Sequence, residues 1–321
     1  MLEAAQLIRN LKSFSVKSAL PLDTTWPAYR RSAVLILLFI GRYGELRVIL
    51  TKRCRNLRSF SGHVSLPGGK SDSLLETPEV VARRESEEEI GLPRDDEILR
   101  RDYGMKIETL TTHVPHFLSR TFLSVKPIVS FLHNSETSLE NRYKIPLDGS
   151  KFFGKLNPGE TTSIFSIPLS DLIAHRYNWT NYHPEYVSRK EYWAKWGGLK
   201  WFIQHYYYPN ENVKDTRWLN DIIDTSSGDE ALEGVPCKDV WGLTAKMLQE
   251  VCDIAFSELN FGKTIGHESL IYALHELGGQ LHGHERSEWE SNMIMNKRGV
   301  NYKDVIPKFY LDSLSNTQPD F

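Results

Sequence analysis

The residues with the most chemical content lie between Gly68 and Leu92, where the chain reads GGKSDSLLETPEVVARRESEEEIGL. A helix over Thr77–Ile90 would set Glu85, Glu88 and Glu89 at i, i+3 and i+4, on one face. Like charges placed that way cost a helix roughly 0.2–0.5 kcal/mol per pair. A hard divalent cation reverses the sign, because Mg²⁺ takes carboxylate oxygens and keeps waters that a phosphate can replace. Ahead of the helix, Gly68 and Gly69 let the backbone approach an ion or a phosphate closely, and the Gly68 carbonyl is a further oxygen ligand. The pattern points to a metal-dependent enzyme acting on phosphate.

A Glu-rich helix flanked by arginines is more often a solvated face. What sets this one apart is order: a glycine pair, Glu76, an Arg84-Glu85 pair after seven further residues, Glu88 and Glu89, then Gly91 as a stop. That set resembles the signature of the Nudix hydrolases, G-x5-E-x7-R-E-U-x-E-E-x-G-U with U apolar. Two departures are visible. Six residues separate Gly69 from Glu76, and Ser86 takes an apolar position. A serine is tolerable there if its hydroxyl bonds back to a helix carbonyl. The resemblance implies an α/β fold, an α/β/α sandwich with a mixed sheet on which the acidic helix packs. It also implies Mg²⁺ or Mn²⁺ held by Glu85, Glu88, Glu89 and the Gly68 carbonyl, with Arg84 orienting the acids.

Just upstream, Ile49 to Gly69 reads ILTKRCRNLRSFSGHVSLPGG. This resembles the additional signature of the coenzyme A diphosphatase branch of that family, L-L-T-x-R-S-x3-R-x-H-x-G-x-V-x-F-P-G-G. Thr51, Arg53, Arg58, Gly62, Val64 and Pro67-Gly68-Gly69 match in register; Cys54, Phe60 and Leu66 replace Ser, His and Phe. The branch tends to carry the longer spacing after the glycines. Two further echoes are LNPGE at Leu156–Glu160 and WGLTA at Trp241–Ala245. Coenzyme A carries a pyrophosphate and a 3′-phosphate, so its site needs fixed positive charge. Arg53 and Arg58 can supply planar forks for phosphate oxygens, or pair with an acid of the helix. Gly69 and Lys70 lie on the same substrate side. The reaction implied is hydrolysis of coenzyme A or its derivatives to 3′,5′-ADP and 4′-phosphopantetheine, or acyl-phosphopantetheine. Two candidates stand for the general base, Glu88 and Glu160. The alternatives are a Nudix pyrophosphatase for oxidised nucleotides such as 8-oxo-dGTP or other nucleoside diphosphate derivatives, and a non-catalytic nucleotide-binding module. Intact, mutually repelling acids speak against the last.

The elements that must position these groups are legible around them. Ser32–Ile40 is an unbroken apolar run and Leu46–Thr51 returns after a Gly41–Gly44 turn, so both are strands. Gly62–Leu66, Lys106–Thr112, Phe122–Leu132, Thr162–Ile167 and Leu199–Tyr208 read as further strands, with a short helix from Leu169 and a loop over His113–Arg120. Residues 133–155 read as a polar insertion. From His175 to Trp196 aromatics are dense, as a base-stacking platform or as the packing of an inserted subdomain. Asn210–Pro236 reads as a polar, acidic loop, Val240–Phe256 as a core helix, and Glu268–Leu277 as helical within a C-terminal extension. The expected organisation is an N-terminal segment 1–31, a catalytic domain 32–256 with insertions at 133–155 and 175–236, and an extension 257–321.

Composition sets outer limits. A chain of 321 residues, 40% hydrophobic with a net charge of -2, gives no argument for a nucleic-acid polymer or an anionic membrane as partner. The expected partner is a small molecule. Cys54, Cys237 and Cys252 show no CxxC spacing and suit a reducing compartment. No apolar run approaches the ~18 residues of a membrane span. His113, His116, His275, His282 and His284 match no metal-ligand spacing. The start, LIRNLKSFSVKSAL, fits a mitochondrial-type presequence and an amphipathic first helix alike. The final Gln-Pro-Asp-Phe is not an SKL-type address, although eukaryotic members of the branch are often peroxisomal.

Overall fold

Strand β1 (Arg31–Ile40) is the axis of the molecule, and its alternating side chains feed two different cores. Ala33, Leu35, Leu37 and Phe39 face one side, and Ile36, Leu38 and Ile40 the other. Both sets are buried, which is why the run shows no polar alternation. In this computed structural model the described residues are 2–16, 26–57, 60–150, 152–157, 159–177, 179–212, 214–215, 230–232, 234–257 and 265–317.

The first sheet runs in the order β3 (Val64–Ser65), β2 (Leu46–Arg53), β1, β7 (Ser124–Asn134), β5 (Met105–Thr111). Strand β4 (Gly68–Lys70) pairs with β1, β6 (Phe117–Leu118) with β7, and β8 (Thr161–Pro168) with β2. Only β1 and β7 pair in parallel, so the sheet is mixed. One edge of β1 is shared. Its end, Leu38–Ile40, pairs with β2, whereas Ser32–Val34 pairs with the glycine strand β4. That split leaves the glycines at the edge of the sheet, facing the acidic helix.

Helix α1 (Ala4–Ser13) buries Leu7, Ile8 and Leu11 in the core that also receives Ile36 and Leu38. The first basic stretch is therefore an amphipathic helix seated in the fold. Helix α2 (Pro78–Ile90) carries the acids on the opposite face of the sheet, with Val81, Ala82 and Ile90 against Leu35 and Leu37. Its limits are encoded locally. Thr77 Oγ1 accepts from Val80 N at 3.3 Å, Pro78 opens the first turn, and Gly91 at φ 75° closes the last one. Ser86 is buried and donates to the Ala82 carbonyl at 2.7 Å, as its apolar position requires. Helix α3 (Asp96–Tyr103) adds Leu99 to the same layer.

Elsewhere the fold departs from the sequence reading. Within the expected insertion 133–155, Leu147, whose N–H donates to the Ile40 carbonyl, and Phe153 are buried in the core. The strand expected from Phe122 begins at Ser124 and runs to Asn134, and Phe117–Leu118 is a strand inside the expected loop. After the short helix α4 (Asp171–Ala174), the expected inserted region builds a second antiparallel sheet. Its order is β11 (Glu230–Leu232), β12 (Val235–Trp241), β10 (Leu199–Pro209), β9 (Ser188–Trp196). Most of the expected Asn210–Pro236 loop lies outside the described residues. Helix α5 (Gly242–Ala255) follows β12 directly and packs Ala245, Leu248 and Val251 into the first core, where Tyr206 and Tyr208 of the second sheet also point.

The last residues form a core of their own. Helix α6 (Glu268–Tyr272) continues into a π-helical turn at Ala273–Leu277, then come α7 (Glu288–Ile294) and α8 (Lys308–Thr317). Leu270, Ile271, Leu274 and Tyr302 pack against Trp26, Phe122 and Leu199. Arg30 and Glu290, both buried, pair at 2.8 Å and latch this part to the start of β1. Among the described residues no helix is long and apolar enough to cross a membrane.

Candidate active site

Gly68 and Gly69 meet the acids of α2 at contact distance. Gly68 N–H donates to Glu89 Oε2 at 3.1 Å, and a β-carbon on Gly69 would fall 2.3 Å from the Glu85 carboxyl carbon. Gly68 itself has φ 153°, and a β-carbon there would lie 2.3 Å from the Ala33 carbonyl oxygen. Gly68 thus excludes a side chain because of the sheet, whereas one at Gly69 would push the Glu85 carboxylate aside. Ser32 Oγ donates to the Gly69 carbonyl at 2.6 Å and fixes the strand from behind.

Arg84 threads the acids together. Its Nε donates to Glu76 at 2.9 Å, Nη1 to Glu85 at 3.0 Å and Glu88 at 3.4 Å, and Nη2 to the Lys70 carbonyl at 2.8 Å. Glu76 also accepts from Asp72 N–H at 2.7 Å, so the loop with the extra residue closes on itself and still delivers this acid to Arg84. The guanidinium holds the Glu76 carboxyl below the usual carboxylate range. Sequence reasoning had only the count to go on here; the tight turn at Asp72–Glu76 absorbs the additional residue.

Glu89 is the deepest acid. Burial pushes its carboxyl up to about 8, against the Gly68 N–H and the Arg53 charge, which favour the anion. Arg53 Nη1 is 3.7 Å from Glu89 Oε1. Glu85 is likewise raised, chiefly by burial, with Arg84 opposing and the charges of Glu88 and Glu160 adding to the shift. Glu160 therefore stands within electrostatic reach of both acids. Its loop is fixed at both ends, one of them on the acidic helix: Cys54 N–H donates to the Glu160 carbonyl at 2.8 Å, and Asn157 N–H to the Glu89 carbonyl at 3.2 Å. The Glu160 carboxylate has no hydrogen bond or ion pair among the described residues. Glu88 is half exposed and Lys70 exposed at the rim. Arg58 lies outside the described residues.

As the side chains stand, no three acidic, imidazole or thiol groups among the described residues close around one point. Arg84 Nη1 lies between Glu85 and Glu88 instead. The donor set still fits a hard cation. Burial raises the Glu85 and Glu89 carboxyls despite the arginines beside them, so a divalent charge among them would favour both anions, and all the side-chain donors are oxygens. The histidines are engaged elsewhere: His116 with Ser124 Oγ at 2.8 Å, and His275 stacked on His282 with centroids 4.0 Å apart. A cavity of about 490 Å³ beside Tyr43, Glu45, Pro168, Tyr182 and Phe256 sits at the opposite end of β1 and takes no part in this cluster.

A carboxylate helix behind a glycine pair, on a mixed sheet, with an arginine fork beside it, is the frame of an enzyme that cleaves phosphoanhydrides with a divalent metal. Residues 29–189 match the NUDIX domain family. The chain is 50% identical to peroxisomal coenzyme A diphosphatase 1 of Saccharomyces cerevisiae, over 98% of this chain and 96% of that one. It is 32% identical to Nudix hydrolase 15, mitochondrial, of Arabidopsis thaliana, over 71% of this chain and 59% of that one. Nudix hydrolase 22, chloroplastic, from the same plant, is 28% identical over 71% and 56%. The chain belongs to the Nudix hydrolase family and is a metal-dependent hydrolase of phosphoanhydrides.

Proposed function

We propose that the chain hydrolyses the pyrophosphate bond of coenzyme A and its derivatives, giving 3′,5′-ADP and 4′-phosphopantetheine or its acyl form, with Mg²⁺ or Mn²⁺. The observation that carries this is the pairing of Glu89 with Arg53: a buried acid, its carboxyl raised by burial, 3.7 Å from a guanidinium. The buried Nε–H of Arg53 has no acceptor among the described residues, and a phosphate oxygen would supply one. The name carried by the yeast relative, over nearly the whole length of both chains, supports the same substrate.

Glu85, Glu88, Glu89 and the Gly68 carbonyl would hold the metal, which when bound neutralises the pyrophosphate and lowers the pKa of an attacking water. Arg84 acts as the positioning residue. Its fork on Glu76, Glu85 and Glu88 keeps the carboxylates in one orientation, and moving off Glu85 and Glu88 would free both for a cation. Arg53 and Arg58 bind phosphate oxygens, with Gly69 giving backbone access and Lys70 adding charge at the rim. Glu160 is the general base: its carboxylate has no partner among the described residues and comes from a loop rather than from the helix, leaving it able to take a proton from water. Glu88 is the other candidate, but it is already held by Arg84. We place the protein in the peroxisome, by likeness to the yeast relative; fluorescent fusions at each terminus test that.

The deciding measurement compares kcat/KM for coenzyme A, oxidised coenzyme A, acyl-coenzyme A and 8-oxo-dGTP, each with Mg²⁺, with Mn²⁺ and with EDTA. Preference for the coenzyme A series and silence in EDTA is the expected result. Preference for 8-oxo-dGTP would replace the substrate.

A further inference from the structure

A row of aromatic rings leads from the acids onto the second sheet. Arg53 and His63 stand opposite one another, one step beyond the registered pairs Thr51–Ser65 and Lys52–Val64, with Arg53 N–H donating to the His63 carbonyl at 2.9 Å. Opposed residues of a hairpin project from the same face. On that face Arg53 reaches Glu89, while the His63 ring lies 5.2 Å from Trp241. Trp241 and its cross-strand partner His205 are nearly parallel, 6° and 5.1 Å between centroids, and Tyr192 continues the row at 5.8 Å and 20°. Asp239 Oδ2 fixes His205 Nδ1 at 2.8 Å.

One end of the row is Phe60, in the loop of the hairpin that carries Arg53, 5.9 Å from the His63 ring. It is 43% exposed, and its backbone sits at φ 52°, in the left-handed region that a side chain such as Phe rarely adopts. Conformations of that kind are found where a ligand is gripped. A large apolar ring held outward on the hairpin that carries Arg53, with the tilted rings of His63 and Trp241 behind it, offers a face on which a base can stack.

We propose that Phe60, backed by His63 and Trp241, seats the purine base of the substrate, while Arg53 on the same hairpin face takes its phosphates. This rests on the coenzyme A reading above and adds to it the part of the substrate that the rings recognise. The base is the flat, π-bearing part of that molecule. The pantetheine arm is a flexible chain of amides that gains little from a ring face. Phe60 contacts the base; Trp241 acts through His63 and is a positioning residue.

The test is Phe60→Ala beside Phe60→Tyr in the full chain, with circular dichroism to check folding. F60A should raise KM for coenzyme A roughly tenfold while kcat changes far less, and F60Y should restore it. Calorimetric titration with adenosine 3′,5′-bisphosphate should show the same loss and rescue, with 4′-phosphopantetheine binding unmoved. If F60A binds the bisphosphate as the native chain does, the base does not sit there. If only 4′-phosphopantetheine binding weakens, the arm occupies the ledge and the proposal is overturned. Should the native chain leave coenzyme A intact, the substrate reading is lost, but bisphosphate binding still decides the role of Phe60.

Discussion

Glu85 lies so close over Gly69 that a methyl group there would sit 2.3 Å from its carboxyl carbon. The glycine is therefore a shape requirement of the acid, beyond its service to a turn. Gly69→Ala should displace Glu85 by about an ångström or more, which at a reacting centre costs on the order of 10²-fold in rate. Steady-state kinetics with saturating metal check this, and a melting temperature near the native value would separate it from unfolding. Unaltered kcat/KM would remove Glu85 from the site.

Glu89 sets the dependence on pH. Its carboxyl titrates near 8 in the fold against 4.5 as the ordinary value, so between those limits the native state holds a proton that the unfolded chain has released. Without metal, stability should fall as pH rises from about 4.5 to about 8, by on the order of a few kcal/mol, and stay low above. Glu89→Gln should lose several orders of magnitude in turnover yet melt higher than the native protein at pH 9, the gap closing toward pH 5. Bound divalent metal favours the anion and should flatten the native slope, with proton release on titration. Melting curves of both proteins across that range decide the matter.

Arg84 serves four acceptors with one planar fork, a task that a lysine cannot repeat. Arg84→Lys should keep the charge but lower kcat by roughly 10–100-fold, with weaker metal affinity and little change in KM. A variant that loses only substrate affinity would show that Arg84 contacts substrate instead.

The assignment of Glu160 as base is open to a direct kinetic test. Glu160→Gln should cut kcat by about 10²–10⁴ and abolish the acid limb of the pH–rate profile, while metal binding by calorimetry persists. If the limb remains and Glu88→Gln removes it, the base is on the helix.

Much of this arrangement could be read from the chain because its determinants are local. The acidic helix carries its own cap in Thr77 and its own stop in Gly91, and β1 is an unbroken apolar run because both faces are covered. In the second sheet the strand expected over Leu199–Tyr208 is β10, but its neighbours β9 and β12 were hidden, for the opposite reason. In β9 most side chains are only partly covered and basic residues interleave with aromatic ones, so neither period nor burial marks a strand. The aromatics of the expected insertion differ in burial. Tyr177, Trp179 and Tyr186 pack against the core, whereas Tyr192 stands exposed in the ring row. Glu76 was named in the motif, but counting residues could not show how the turn before it takes up the extra one. The C-terminal core depends on partners such as Trp26 and Phe122, which no local pattern links to Leu270.

The Arg30–Glu290 contact joins side chains 260 positions apart, just where β1 departs toward the glycines. Excising the chain at the edge of its family match, residue 189, would remove Glu290 and with it the counter-ion of Arg30. It would also uncover Trp26 and Phe122. The fold is thus braced by more than the family-matched stretch, and the carboxyl-terminal third is a buttress for the start of β1.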